Sequence, residues 1–431
     1  MRNTQEIKDF IQKWKELSVP SSQVLYDYKP ICKDLLYHDE DLVLETINIL
    51  KKNISIWAYE NCEVYKKTKD LPFLDKKYFK DKSKWYIKSM EKESMNMKSS
   101  GSTTGASFEY LRWEPFLYFI EGENHYDLIL DEYEIPQNPD IMYFFESQFG
   151  EGVKYINDTS ESENFMEHHG TKRKAKVHYI NTKLQKEKEE KFQDYLIRYL
   201  NVKKMDVVFA PGPQIKNLCS YLRKSNYKGK LCNLLSNSNE KMIKEDADFL
   251  IENNYVSHIC DHMRCWDGGA SFFTCKDKNY HLMDNLSWCE ENEEKLISTD
   301  YFSFTCPFVK FWNGDKCKIE DKYKRCSCGR LYREFRFLDN RPFAIKGHSI
   351  TEYKNKLMSC GFIEIKQIVC GVDFIEVISN KEMNQSQKEK IVEIFNDHKL
   401  KFKVVTDVNS IIENGKNKIQ NPSSPRMDKN E

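Results

Sequence analysis

Between Asn181 and Cys260 the apolar pattern switches repeatedly between a helical period and short strand-like runs, which restricts the fold more than any other stretch. The order is a helix over Asn181–Leu200, a strand over Met205–Ala210 closed by Pro211-Gly212-Pro213, a helix over Ile215–Lys224, a strand over Lys230–Leu235, a helix over Met242–Asn253 and a strand ending near Cys260. Such alternation predicts a partly parallel α/β sheet, whose ligand sites lie beyond the C-terminal strand ends. Two polar turns fall at those ends, Asn237-Ser238-Asn239-Glu240 and Arg264-Cys265-Trp266-Asp267-Gly268-Gly269.

The flanking regions read differently. Residues 1–90 are mainly helical, beginning with an amphipathic helix that places Ile7, Phe10, Ile11, Trp14 and Leu17 on one side. A second helical pattern runs through Leu42, Leu44, Ile47, Leu50 and Ile54, ahead of the loop Lys69-Asp70-Leu71-Pro72-Phe73. Leu128-Ile129-Leu130 and Ile141-Met142-Tyr143-Phe144-Phe145 are strand candidates in an aromatic-rich stretch. The polar segment Asn157–Lys176 reads as an exposed loop, and its His168 and His169 have no partner at metal spacing. Short strands and turns dominate from His281 to Ile319. After Asn340 the order is helix (Ile350–Cys360), strand (Phe362–Val369), strand (Asp373–Ile378), helix (Ser386–His398) and strand (Lys401–Val405), followed from Asn421 by a polar tail expected to be disordered. The predicted organisation is a large α/β domain over 1–338, a small α+β domain over 339–420 and a tail over 421–431.

Charge narrows the partners. Lys plus Arg and Asp plus Glu number 67 each, so no net field draws the chain to nucleic acid or an acidic membrane. The basic run from Lys172 to Lys176 is short and lacks interleaved aromatics. No stretch approaches the roughly 18 apolar residues of a membrane span, and the N-terminus lacks a signal-peptide core. A cytoplasmic location is the expectation.

Ser99-Ser100-Gly101-Ser102-Thr103-Thr104-Gly105 contains five hydroxyls and two glycines without one hydrophobic side chain. Glycines let backbone N–H groups turn inward and the hydroxyls add donors, a composition suited to wrapping a polyanion such as a phosphate chain. A plain surface linker is the other reading. The 14 cysteines are scattered rather than framed, which argues against a disulfide scaffold. One group stands apart: Cys275 and His281, then Cys326 and Cys328, offer the N/S donor set that tetrahedral zinc prefers. Cys289, Cys306 and Cys317 are further possible ligands, and unrelated core thiols are the alternative.

Taken in order, these islands resemble the adenylate-forming (acyl-activating) superfamily, in particular its phenylacetate coenzyme A ligase branch with the capsule-biosynthesis and bioluminescence acyl-protein synthetase relatives. The loop Ser99–Gly105 resembles the family's phosphate loop, Asn239-Glu240 its Gly-Glu adenine turn and Trp266-Asp267 its Thr-Glu. Phe311-Trp312-Asn313-Gly314-Asp315 is similar to Tyr-Arg-Thr-Gly-Asp, and Cys326-Ser327-Cys328-Gly329-Arg330 to the branch's Cys-x-Cys-Gly-Arg. Ala344-Ile345-Lys346-Gly347 resembles the start of a mobile C-terminal domain, with Asn340 near its hinge, and Glu413-Asn414-Gly415-Lys416 resembles its terminal Gly-Lys.

The resemblance implies ATP-dependent activation of a carboxylic acid to an acyl-adenylate, then transfer to coenzyme A or an acyl-carrier protein. It implies that Ser100, Gly101, Ser102, Thr103, Thr104, Gly105, Asn239, Glu240, Trp266, Asp315 and Lys346 bind the nucleotide, Asp315 through the ribose hydroxyls. Asp267 would hold Mg²⁺, Lys416 would serve adenylation, and metal-bearing relatives suggest a structural Zn²⁺ on Cys275, His281, Cys326 and Cys328. An acid pocket is expected between Phe116–Phe119 and the strand ends near Pro211 and Met263. The pattern departs from the family in four places: the loop is one residue longer and lacks a following lysine, Asp267 replaces glutamate, Phe311-Trp312 replaces tyrosine-arginine, and Phe337-Leu338 replaces Gly-Arg before the hinge. An inactive nucleotide-binding descendant is therefore the alternative function.

Overall fold

Helical periodicity at the start of the chain becomes four helices: α1 (Thr4–Trp14), α2 (Gln23–Cys32), α3 (Glu40–Asn61) and α4 (Glu63–Lys67). The computed structural model describes residues 4–68, 71–79, 84–98, 109–113, 125–145, 175–181, 196–200, 202–238, 242, 244–264, 268–338, 365–370, 374–379, 382–395 and 399–404. As the amphipathic pattern requires, α1 buries Ile7, Phe10 and Ile11. In α3 the buried stripe runs through Val43, Ile47, Leu50 and Ile54, so Val43 takes the inward position that the sequence reading gave to Leu42 and Leu44.

Next come β1 (Leu74–Asp75), the hairpin β2 (Ser94–Lys98) and β3 (Glu109–Trp113), and α5 (Asp127–Glu132). The α5 segment corrects a strand expectation: Leu128, Ile129 and Leu130 are all buried, but on a short helix with Asp127 in its first turn. A three-residue apolar run fits either element when all of it is buried. Then follow β4 (Asp140–Phe145), β5 (Lys176–Asn181), β6 (Met205–Pro211), α6 (Gly212–Lys224), β7 (Cys232–Ser238), α7 (Lys244–Glu252), β8 (Val256–Arg264), β9 (Ser271–Thr274) and β10 (Tyr280–Leu282).

These strands form the expected sheet, in the order β10-β9-β8-β7-β6-β4-β5. From β5 to β8 every pairing is parallel, and β9 and β10 add antiparallel neighbours. Strand β5 was not foreseen, and Asn181 closes it rather than opening a helix; helix is described at 196–200, where Leu196, Ile197 and Leu200 are buried. A second sheet contains β11 (Ser287–Asn292), β12 (Lys295–Asp300), β13 (Phe311–Arg325) and β14 (Leu331–Phe337), with β1 parallel to the start of β13. A three-stranded sheet, β15 (Ile365–Cys370), β16 (Phe374–Ser379) and β17 (Lys399–Val404), carries α8 (Gln385–Phe395) between its parallel pair, close to the expected elements. The expected helix Ile350–Cys360, most of the loop Asn157–Lys176 and the tail from Asn421 lie outside the described residues. No helix among the described residues is long and apolar enough to cross a membrane.

Candidate functional site

The two ends of the hydroxyl-rich loop are held by the β2–β3 hairpin, whose last pair is Lys98 with Glu109. The loop itself, with Ser100, Gly101, Ser102, Thr103, Thr104 and Gly105, lies outside the described residues. Its anchors are tied to the segment after β12: Ser94 Oγ meets Thr305 Oγ1 at 2.6 Å, and the Leu111 amide donates to Cys306 Sγ at 3.4 Å. Within β3, Arg112 forms an ion pair with Asp300, the last residue of β12, and both side chains are fully buried.

Asp300 also meets the turn after β8. Asp267 and Trp266 are outside the described residues, but Gly268 and Gly269 are not, and both have positive φ, 115° and 79°. A Cβ on Gly269 would lie 2.7 Å from Asp300 Cβ, Cγ and Oδ2, and one on Gly268 would lie 2.8 Å from Phe311 Cδ1. Only glycine combines that backbone with that approach. The Gly269 carbonyl accepts a hydrogen bond from Ser287 Oγ at 2.7 Å.

Phe311 opens β13, so the turn packs directly on the segment that ends in Asp315. Pairing between β12 and β13 shifts register there: Ile297 faces Trp312 and Lys295 faces Lys316. Three residues, Asn313 to Asp315, therefore stand opposite Leu296 alone, a bulge that re-aims the strand. Gly314 takes φ 106°, and Trp312 Nε1 donates to the Asp315 carbonyl at 3.0 Å. Asp315 is left half-buried on this bulge. Phe311 is fully buried beside Phe79 and Phe308, so a hydroxyl there would meet an apolar cluster.

At the C-terminal ends of β6 to β8 a polar pair sits in an aromatic setting. His262 Nδ1 and Ser236 Oγ are 2.8 Å apart, and the imidazole contacts the rings of His125, Tyr126 and Phe209 at 5.4, 6.0 and 5.8 Å. Burial pushes the His262 pKa down to about 4, so the ring is neutral. Asn239 and Glu240 follow β7 directly but, like Lys346, Lys416 and Phe116–Phe119, lie outside the described residues.

Cys275, His281, Cys326 and Cys328 come together in one compact group. Cys275 follows β9, His281 lies on β10, and Cys326 and Cys328 occupy the turn between β13 and β14. Their candidate ligand atoms all lie within 4.8 Å of one another. Cys275 and Cys326 Sγ are 3.8 Å apart, and Cys328 Sγ is 3.7 Å from His281 Nε2. A tetrahedron with zinc bonds of about 2.1–2.3 Å has ligand–ligand edges of about 3.6–3.8 Å, whereas a disulfide would need about 2.05 Å. The donor set and spacing therefore fit Zn²⁺.

The surrounding groups hold that geometry. His281 lies between the rings of Phe273 and Tyr332, at 5.5 and 4.9 Å, and its buried Nδ1 has no hydrogen-bond partner among the described residues, so packing sets its orientation. Asn279 Nδ2 donates to Cys326 Sγ at 3.3 Å. Arg330 pairs with Glu132 of α5 and lies over Tyr37 and Phe273, pinning the Cys326–Arg330 turn to the helical start. The Cys328 thiol is pulled well below its ordinary range by the Cys275 hydrogen bond and by His281. Cys275 is pushed up, because it shares that hydrogen bond and is buried. Cys289, Cys306 and Cys317 are buried elsewhere and do not join the cluster.

Sequence reasoning missed Arg112, Asp300, Ser236 and His262. The available signals were slight: an arginine between Leu111 and Trp113 in an apolar strand, and a histidine at a predicted strand end.

No family model matches the chain, and no curated protein matches it in sequence. Among solved structures the fold is similar to 2-hydroxyisobutyryl-CoA ligase in complex with 2-HIB-AMP and CoA in the thioesterification state, with a TM-score of 0.57 and 11% identity over 86% of this chain and 88% of that one. An open conformation of the same ligase with the same two ligands gives 0.56 and 12% identity, over 84% of this chain and 90% of that one. The chain therefore has the fold of the adenylate-forming enzymes.

Proposed function

We propose that the protein joins a carboxylic acid to the α-phosphate of ATP, releasing pyrophosphate, and passes the acyl group to a thiol of coenzyme A or a carrier protein. The observation that best supports this reading is the meeting of three sequence-distant segments on one core. The anchors of the hydroxyl loop, the glycine turn after Asp267 and the bulge bearing Asp315 all converge on Asp300 and Phe311. The chemistry explains why they should meet. Bringing a carboxylate to a polyphosphate opposes like charges, so catalysis depends on neutralisation and positioning.

On this reading Ser102, Thr103 and Thr104 donate to the β- and γ-phosphates, with Ser100 and the two loop glycines supplying backbone N–H groups. Asn239, Glu240 and Trp266 hold the base, and Asp315 accepts from both ribose hydroxyls, as an acceptor-only carboxylate can. Mg²⁺, a hard cation, suits the Asp267 carboxylate and phosphate oxygens, and would supply charge neutralisation. Lys416 and Lys346 come from the C-terminal part, for which a 339–420 domain rotating near Asn340 is the matching organisation. The acid lies near the strand ends by Pro211 and Met263, where Phe209, Tyr126 and the neutral His262 favour an apolar group. Zn²⁺ on Cys275, His281, Cys326 and Cys328 would tie β9 and β10 of one sheet to the β13–β14 turn of the other.

Carboxylate-dependent return of labelled pyrophosphate into ATP, across a panel of aryl and aliphatic acids, tests the activity. Exchange with at least one acid is expected. ATP binding without exchange would favour the second reading, a non-catalytic nucleotide-binding descendant, which the shorter Asp267 and the missing loop lysine support. Metal analysis of the purified protein should return about one zinc per chain; a content far below that ends the zinc assignment.

A further inference from the structure

We infer that Glu132, the last residue of α5, is a positioning residue that clamps the two thiolate-bearing turns at metal-binding separation. The inference rests on the zinc assignment above and concerns a residue outside every motif of the resemblance. Its carboxylate reaches both turns. Oε1 accepts the amide of Lys276, the residue after Cys275, at 3.2 Å, and Oε2 takes Arg330, two residues after Cys328. Arg330 Nη1 is in turn 3.8 Å from Cys328 Sγ. The turns themselves match. In the first, the Cys275 amide donates to the Asn279 carbonyl at 3.1 Å and the Lys278 amide to the Cys275 carbonyl at 2.9 Å. In the second, the Cys326 amide donates to the Arg330 carbonyl at 2.9 Å and the Gly329 amide to the Cys326 carbonyl at 2.8 Å. Each closes on a left-handed residue, Lys278 with φ 62° and Gly329 with φ 88°. Asp277 therefore takes in the first turn the place that Cys328 has in the second. Ser327 Oγ donates to it, and His281 supplies the fourth candidate ligand.

Charge gives the arrangement a reason. Three thiolates and a neutral imidazole leave a bound Zn²⁺ with one net negative charge, at a site where three of the four donor residues are buried. The Arg330 guanidinium is a cation set beside that charge, and Glu132 fixes where it stands. Both side chains are almost fully buried, at 3% and 7% exposure. Helix stability does not account for the carboxylate, which at the last residue of α5 faces the negative end of the peptide dipoles. An apolar side chain would also avoid its desolvation. Only a carboxylate offers two acceptor oxygens, one for each turn. Outer partners of this kind orient the ligands, and losing one typically costs about 10- to 100-fold in metal affinity.

Zinc affinity of the full-length protein, read by competition with a chromogenic zinc chelator, separates clamping from scaffolding. Glu132→Ala keeps all four ligands but removes both links, and its affinity should fall about 10- to 100-fold. Asp246→Asn is the control: it breaks another ion pair with a buried carboxylate, the 2.7 Å contact of Arg223 with Asp246, on helices that carry no ligand. It lowers stability without touching the clamp, so its zinc affinity should stay within about twofold of the wild type. An unchanged affinity in folded Glu132→Ala, or an equal loss in the control, would overturn the inference while leaving the zinc assignment standing. Should Glu132→Ala not fold, Glu132→Gln keeps an oxygen for the Lys276 amide but gives up the charge on Arg330. A weaker affinity is expected there too, and a wild-type value overturns the inference. If the wild-type protein binds no zinc, the assignment itself fails and takes the inference with it, whereas pyrophosphate exchange still tests the acid-activation reading.

Discussion

His262 is neutral at the strand ends because burial among rings and one hydroxyl desolvates it, with no charged group among the described residues to offset that cost. That makes it a measurable contributor to the pH dependence of stability. Its folded pKa of about 4 lies below the ordinary value of 6.5, so between those limits the unfolded chain binds a proton that the native state refuses. Stability from this residue is complete above the unfolded value and declines as pH falls through the window, by up to about 3 kcal/mol. Urea midpoints measured from pH 8 to pH 4 for the wild type and His262→Gln should converge toward the acid end, the variant lacking this part of the slope. Parallel curves would show that the ring is protonated in the native state. Buried thiols follow the same physics in the opposite direction: burial pushes Cys62 and Cys232 up to about 12, which keeps them protonated and poor nucleophiles at neutral pH.

Turns with positive φ show how two similar glycines can matter to different degrees. Gly269 and Gly329 have φ of 79° and 88°. Around Gly329 the nearest atoms to an added Cβ belong to Tyr37, at 3.5 and 3.6 Å, which is ordinary contact, whereas at Gly269 the Asp300 side chain stands at 2.7 Å. Gly329→Ala should cost only the left-handed backbone penalty, about 1–2 kcal/mol. Gly269→Ala adds overlap with a fully buried carboxylate, for a total of about 3 kcal/mol or more. Equal losses in urea denaturation would mean that Asp300 moves aside easily and does not hold the turn. The same scale marks what the sequence could reveal. The alternation from β6 to β8 was legible because each apolar run is long enough to show its period. Leu128–Leu130 was not, since three buried residues carry no period, and β5 was hidden beside a polar stretch. The Cys–His cluster was legible from donor type. The Arg112–Asp300 pair was not, because its partners are 188 positions apart and neither belongs to a motif.

Across the whole molecule, the first sheet supplies strand ends and the second supplies Asp300 and the Asp315 bulge, and the proposed reaction would add Lys416 from the C-terminal part. If Lys416 is brought to the nucleotide only for the first half-reaction, its charge is needed while the carboxylate attacks the α-phosphate and is dispensable once the acyl-adenylate exists. Lys416→Ala should then lower acid-dependent pyrophosphate exchange by about 10² to 10³, the effect of removing one preorganised charge-stabilising donor. Thioester formation from a supplied acyl-adenylate should stay near the wild-type rate in the same preparation. A folding defect would depress both half-reactions together, and a lysine with no role would leave both intact. The ratio of the two rates therefore reports where Lys416 acts, and a variant that slows both equally would remove the lysine from the adenylation step.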